Sequence, residues 1–359
     1  MPKRKRLLFI LSSQFGYHTD TLMYCKYIDK TEFEVHYIGF DLGLDKIVIE
    51  GIQTHYVPCN SNKMLRYLVY IKYIIRLKKS IKFDFVFHIH TKLSFPIRLV
   101  FLNCNYNFDI RTGDISDSSI KQKLNNLKIT LLSMFCKNVS VISSGLADKL
   151  NLKSYHLLPL GGEINYCDQK DYQTIRLLYV GTLSQRRLED TIAGISDFQN
   201  KYKNISIRYD IVGSGSENDI SILKNHISNY HLTNTVFLHG QVKYIELPKY
   251  YNASNIGIVY IPQKDYYEYQ PSTKLYEYLL AGMPVIATNT FENRKEISNI
   301  KYGVICQDNP NSFSNALKVI QENLFNFQSG QIIGDKKVNS WENIVNKNLE
   351  PYIRKIINK

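Results

Sequence analysis

The stretch "YEYQPSTKLYEYLLAGMPVIATN", residues 267–289, decides the reading of this chain. Pro271 and Ser272 close an irregular segment, and Ser272 or Thr273 is a fit N-cap for a helix. Lys274 to Leu280 favours that helix, Ala281-Gly282 stops it, and Pro284 prevents its continuation. Val285 to Thr288 is then a short apolar strand. A helix N-terminus offers free backbone N–H groups and a positive dipole end, which suits a phosphate. Lys274 and Glu277 in its first turns would clasp a charged group and a sugar hydroxyl. A plain loop–helix–strand unit of an α/β domain satisfies the same spacing.

Working outward, the second half repeats this strand-then-helix alternation. "IRLLYVGTL" (175–183), "ISIRYDIVGSGS" (205–216), "TVFLHGQV" (235–242), "NIGIVYIP" (255–262) and "PVIATN" (284–289) read as strands. The first half does the same with "RLLFILS" (6–12), "FEVHYIGF" (33–40), "QTHYVPC" (53–59), "FDFVFHIH" (83–90) and "VSVISSG" (139–145), with helices near Thr19–Ile28 and 64–80. Such alternation implies parallel sheets covered by helices on both faces. Pro and paired Gly in "HLLPLGGEINYCDQKDYQ" (156–173) mark a break. The expectation is an α/β protein with two Rossmann-like parallel-sheet domains, 1–160 and 161–339, facing across a cleft. The helical tail 340–359, around Pro351, is expected to pack back on the first domain. Ligands of such sheets bind at the loops beyond the strands' carboxyl ends.

At 359 residues, 44% hydrophobic and 21% charged, the chain has apolar mass for two cores and nothing disordered in its composition. Its longest apolar runs are far too short to span a bilayer. The start "MPKRKRLLFILSSQFG" superficially resembles a signal peptide, but its five-residue apolar stretch is better read as a first strand. Six scattered cysteines without a C-x-x-C pair argue against zinc or a redox dithiol and for reduced thiols in the cytoplasm. The net charge of +13 is unevenly placed. Residues 1–155 hold 23 Lys and Arg against 12 Asp and Glu, whereas 156–359 hold 22 against 20. The first half is therefore a candidate face for an anionic partner: membrane headgroups, a lipid-linked phosphate, or nucleic acid. On a helical wheel Met64, Leu68, Ile71 and Ile75 share one face, with Lys72, Arg76 and Lys79 in a stripe beside it. The ordinary expectation is that this apolar face lies on the sheet and the basic flank is solvated.

Three loops of the second half carry phosphate-compatible chemistry. "YVGTLSQRRLED" (179–190) supplies Gly181 for close approach and Arg186 and Arg187 as guanidinium forks. "IVGSGSEND" (211–219) supplies a Gly213–Gly215 turn before a helix. The stretch at 267–289 supplies the third. Taken with "VFLHGQVKYIELPKYYNASNIGIVYIPQ" (236–263), these segments resemble the nucleotide-sugar domain of GT-B glycosyltransferases, specifically glycosyltransferase family 4. The resemblance is close over about 175–320 and extends more faintly to "FDFVFHIHT", "DIRTGD", "VSVISSGLADKL" and "LPLGGE".

The resemblance implies that Glu277 holds the ribose hydroxyls of a UDP- or GDP-sugar. It implies that Arg186 or Arg187, with Lys274 and the amides of Ser272 and Thr273, neutralises the leaving diphosphate. Where the family often has a first glutamate, this chain has Tyr269, with Glu268 beside it as a substitute. "SSQFGYHTD" (12–20) resembles the family's glycine loop but has only Gly16. His18 and Asp109 are further catalytic candidates, and His90 and Arg111 acceptor-side candidates, at strand ends of the first half. A lone histidine is more often a satisfied polar group, and Asp109 with Arg111 also reads as a structural pair. The chain has no D-x-D pair, so no metal and no cofactor is expected.

The implied reaction is retaining transfer of the sugar to a glycan or a lipid-pyrophosphate-linked acceptor. The expected setting is bacterial surface polysaccharide synthesis in the cytoplasm, at the inner face of the membrane. A nucleotide-sugar 2-epimerase of the same fold, and a basic nucleic-acid-binding protein, are the alternatives.

Overall fold

The computed structural model describes residues 3–116, 118–163 and 169–358. In chain order its elements are β1 (Lys5–Ile10), α1 (Thr19–Tyr27), β2 (Phe33–Asp41), β3 (Ile52–Pro58), α2 (Lys63–Ser80), β4 (Phe85–Ile89), α3 (Ser94–Val100), β5 (Tyr106–Ile110), α4 (Ser119–Met134), β6 (Asn138–Val141), α5 (Ser144–Lys149) and β7 (His156–Leu157). The second half adds β8 (Ile175–Val180), α6 (Leu188–Lys201), β9 (Ile207–Val212), α7 (Glu217–Asn229), β10 (Val236–Gly240), α8 (Leu247–Ala253), β11 (Ile256–Val259), α9 (Thr273–Leu280), β12 (Val285–Thr288), α10 (Phe291–Glu296), β13 (Gly303–Cys306), α11 (Pro310–Glu322) and α12 (Ser329–Lys336). The chain ends in α13 (Trp341–Ile344), a π-helical stretch (Val345–Leu349) and α14 (Glu350–Ile357).

Two compact units result: Met1–Pro159 with Trp341–Lys359, and Leu160–Ser340. The first unit holds a seven-stranded sheet in the order β3-β2-β1-β4-β5-β6-β7, parallel throughout. The second holds six parallel strands in the order β10-β9-β8-β11-β12-β13. Parallel neighbours require a crossover after each strand, and such crossovers are as a rule right-handed. In the first unit the chain moves one way from β1 to β2 and the other way from β3 to β4, β5 and β6. Hence α1 covers one face of the sheet, and α2, α3 and α4 lie together on the opposite face.

In the second unit β8 shows why both faces are covered. Leu177 and Tyr179 enter one buried cluster with α6, α7 and α11, while Leu178 and Val180 enter another with α8, α9 and α12. Period-two alternation of apolar side chains with no polar partner set leaves no face for water.

Three short strands, β5, β7 and β13, escape the sequence pattern, being five, two and four residues long. The wheel of α2 also corrects an expectation. Tyr70 and Ile74 turn inward, Tyr70 donating its hydroxyl to the carbonyls of Leu11 and Ile38. Met64, Leu68 and Ile75 are exposed. The five described cysteines are free, and Cys167 lies outside the described residues. Among the described residues no helix is long and apolar enough to cross a membrane.

Candidate functional site

Helix α9 begins at Thr273 with Ser272 as its N-cap, in extended conformation and without a side-chain capping bond. Leu275 N–H turns back to Ser272 O at 3.2 Å, so the Thr273 and Lys274 N–H groups are the first-turn donors left for something else. Its end is a Schellman closure: Gly282 sits at φ +71, Met283 N–H donates to Tyr278 O at 2.9 Å, and Gly282 N–H to Leu279 O at 3.0 Å. The helix is pinned to the sheet by Tyr278, whose hydroxyl accepts from Val180 N–H at 2.8 Å. Its ring passes over Gly257, where a Cβ would stand 2.3 Å from it.

That placement puts the start of α9 beside the loop after β8. Gly181, Thr182 and Arg186 from this loop, Tyr260 and Ile261 after β11, and Ser272, Thr273 and Lys274 line one pocket of about 220 Å³. Arg186 lays its guanidinium over the Tyr267 ring at 5.0 Å, and its buried Nη1 has no hydrogen-bond partner. Burial pushes the neighbouring Tyr179 hydroxyl up to about 12 against the pull of Arg186. Lys274 Nζ donates to Glu277 Oε2 at 2.6 Å, and Tyr251 OH donates to the same oxygen at 2.6 Å. The carboxylate is thus fixed one turn inside the helix, next to the pocket.

Other residues singled out from the sequence are placed differently. Arg187 is the left-handed N-cap of α6, at φ +55, and pairs with Asp190 at 2.8 Å and Asp308 at 3.4 Å rather than lining the pocket. Gly213 and Gly215 are packing glycines. A Cβ on Gly213 would stand 1.7 Å from the Gly181 carbonyl oxygen, and one on Gly215 2.9 Å from Leu183 Cβ. Close approach of two backbones accounts for the glycine at 213. Glu268 pairs with Arg294 of α10 at 3.1 Å, and Tyr269 packs on Phe291 with ring centroids 5.4 Å apart. Neither lines the pocket.

The first unit gathers its own cluster where its strands end. Arg111 Nε donates to Asp20 Oδ2 at 2.7 Å, its Nη1 to Leu158 O at 2.7 Å, and Asp109 Oδ2 lies 3.6 Å from it. Asp109 is fully buried, accepts from Ser140 Oγ at 2.6 Å, and is pushed up to about 6 by burial. Arg111 is 6% exposed. The pair lies in the interior, where Asp109 Oδ2 and Arg111 Nη2 are each left without a hydrogen-bond partner. His18 is the N-cap of α1, half-buried, with its Nδ1 2.9 Å from Thr21 Oγ1. Burial lowers its pKa, while Asp20 opposes that and Arg111 adds to it. His90 follows β4, rests edge-on against Phe108, lies 3.3 Å from Ser94 Oγ, and is driven down to about 4 by burial. Gly16, at φ +95, turns the preceding loop against Ile47. Among the described residues no group of three or more His, Cys, Asp or Glu has a metal-holding arrangement.

Sequence reasoning missed Tyr251 and Tyr267, because nothing in a chain with 27 tyrosines marks two of them out. Only the spacing of α8 against α9 brings Tyr251 to Glu277.

Residues 174–323 match the family model described as "Glycosyl transferases group 1". Over its whole length the chain is similar in fold to sucrose-phosphate synthase from Thermosynechococcus elongatus, at 13% identity and TM-score 0.80, covering 99% of this chain and 100% of that one. Anabaena HepE, solved in complex with UDP, is similar at 12% identity and TM-score 0.75, covering 97% and 99%. The lipopolysaccharide outer core galactosyltransferase WaaB is similar at 13% identity and TM-score 0.70, covering 98% and 99%. Among curated proteins the chain has no match. The fold is GT-B, and the chain is a glycosyltransferase.

Proposed function

We propose that this enzyme takes a sugar from a UDP- or GDP-sugar and passes it, with retention of configuration, to a glycan or lipid-pyrophosphate-linked acceptor in bacterial surface polysaccharide synthesis. The observation that carries the donor assignment is Arg186, with its buried Nη1 unpartnered, lining one pocket with Lys274 and the uncapped start of α9. A leaving nucleoside diphosphate develops negative charge as the glycosidic bond breaks, and preorganised donors aimed at that charge are the main catalytic demand. Arg186 supplies a fork of permanent charge, Lys274 a second cation, and the Ser272–Thr273 amides the helix-dipole end. Glu277, held through Oε2, turns its other oxygen to the ribose. That HepE is solved with UDP and with UDP-glucose supports the uridine donor among the two.

Thermal denaturation with UDP, GDP and inorganic phosphate tests the seat: a nucleoside diphosphate should raise the melting temperature and phosphate alone should not. Because Arg186, Lys274 and the helix end carry the charge, sugar transfer should persist in excess EDTA. Loss in EDTA with recovery on adding Mn²⁺ would refute that account. The anomeric coupling in the product's proton NMR spectrum reports retention, and an inverted product would overturn that part of the proposal.

A further inference from the structure

Helices α2, α3 and α4 lie side by side on one face of the first unit's sheet. Lys78 near the end of α2 donates to Val100 O at the end of α3, and Arg98 of α3 donates to Phe135 O just after α4. Ordinary outer helix surfaces are polar. This one is not: Leu68 is 64% exposed, Phe95 58%, Leu99 50%, Leu124 54%, Leu131 48% and Met134 69%. The three helices also carry ten Lys and Arg and no Asp or Glu. Where they end, Lys5, Lys78, Lys82 and Lys137 surround a cavity of about 550 Å³ whose one carboxylate, Asp84, accepts from the Arg6 amide.

We infer that the α2–α3–α4 face docks on an anionic lipid surface, its apolar side chains entering the headgroup boundary and its lysines and arginines reading the negative charge. Charge complementarity selects this occupant. A second copy of the same face would bring ten cations against ten across an isologous contact. A nucleic acid would engage the cations but give the exposed leucines, Phe95 and Met134 nothing to bury against. Apolar burial and electrostatic attraction to anionic lipid are the two contributions an interfacial surface combines. The inference stands apart from the donor site, which lies in the other unit.

Co-sedimentation of the full chain with vesicles of phosphatidylcholine alone, and of phosphatidylcholine with phosphatidylglycerol, tests it. Binding should appear on the anionic vesicles and weaken with salt. The triple variant Leu68→Ser, Leu124→Ser, Leu131→Ser changes only exposed positions and should lose most of that binding. The pair Lys72→Glu, Arg76→Glu should lower it by about fivefold or more per residue. Circular dichroism and the UDP-induced melting shift confirm that each variant is folded. Equal binding to both vesicle types, salt-insensitive binding, or no vesicle binding with a dimer in sedimentation velocity that the triple variant abolishes, would each overturn the inference.

Discussion

At the scale of single residues, the donor side turns on Glu277 and what holds it. Lys274 and Tyr251 both bond Oε2, so the carboxylate is oriented before any ligand arrives. Glu277→Ala should weaken UDP binding by about 1.5–3 kcal/mol, the worth of hydrogen bonds to a charged group. Tyr251→Phe should weaken it less, because it frees the carboxylate without removing it. Isothermal titration against UDP checks both, and unchanged affinity in a folded Glu277→Ala protein would remove Glu277 from the site. The two neighbouring arginines should separate cleanly: Arg186→Ala should depress turnover, and Arg187→Ala should chiefly loosen the start of α6. Their order in the sequence could not tell them apart. The left-handed turn at Arg187 decides, sending one side chain to Asp190 and Asp308 and the other over Tyr267. In the first unit, Asp109 gives a pH signature. Burial raises its carboxyl from 3.8 to about 6, so the folded state binds the proton more tightly over that interval. Its contribution is fully present below 3.8 and is lost as pH rises through about 6. Asp109→Asn lacks this titration, so its stability relative to the parent should climb across the same interval in urea titrations. His90, lowered to about 4, has the opposite sign and is common to both proteins. A flat difference would mean that Asp109 is not protonated in the fold.

At the scale of elements, most of both sheets was legible because parallel strands buried on two faces are continuous apolar runs. The strand of residues 175–180 and the helix of 273–280 lie where the pattern puts them. β13 was not legible, since "GVIC" is four residues opening on a glycine whose Cβ would meet Val285 O at 1.9 Å. Its pairing is tertiary, not local. The outward side of α2 was misjudged for a related reason: periodicity shows that a helix has an apolar stripe but not which stripe a sheet accepts. Tyr70, anchored to two strand carbonyls, settles that. The loop after β9 shows the same limit from the other side. A G-x-G before a helix reads equally as a phosphate cradle or as a close approach, and the close approach is seen only in the fold, where a Cβ on Gly213 would stand 1.7 Å from Gly181 O. Gly213→Ala should therefore cost stability of about 1–3 kcal/mol by overpacking against backbone that cannot yield. Because Gly181 lines the donor pocket, UDP affinity should fall with it. Equal melting temperatures for the two proteins would show that the loops are not in contact.

At the scale of the whole molecule, the two units differ in how the chain builds them. The second is contiguous, Leu160–Ser340, with a sheet buried on both faces and Gly162 bridged to Ser340 at its two ends. The first is closed by the distant tail. Trp341 is 1% exposed and packs edge-on against Tyr24 at 5.8 Å. Glu350 Oε1 accepts from Asp29 N–H at 2.8 Å, Arg354 pairs with Glu32 at 2.7 Å, and Tyr352 OH donates to Asn107 Oδ1 at 2.7 Å. Removing residues 341–359 takes away a buried tryptophan, whose loss alone is worth about 3–5 kcal/mol, comparable to a domain's net stability. Residues 160–340 produced alone should thus melt cooperatively, and UDP at about a hundred times its Kd should stabilise them by about 2.7 kcal/mol. Residues 1–159 alone should fail to melt cooperatively, and should recover when 341–359 is supplied in trans as a peptide or fused through a flexible linker. Calorimetry of the three species decides the matter. If 160–340 folds but UDP leaves its transition unmoved, that unit alone does not carry the nucleotide seat built from Arg186, Lys274 and Glu277. If 1–159 melts as sharply without the tail, the contacts of Trp341 and Arg354 ornament a unit that is already complete.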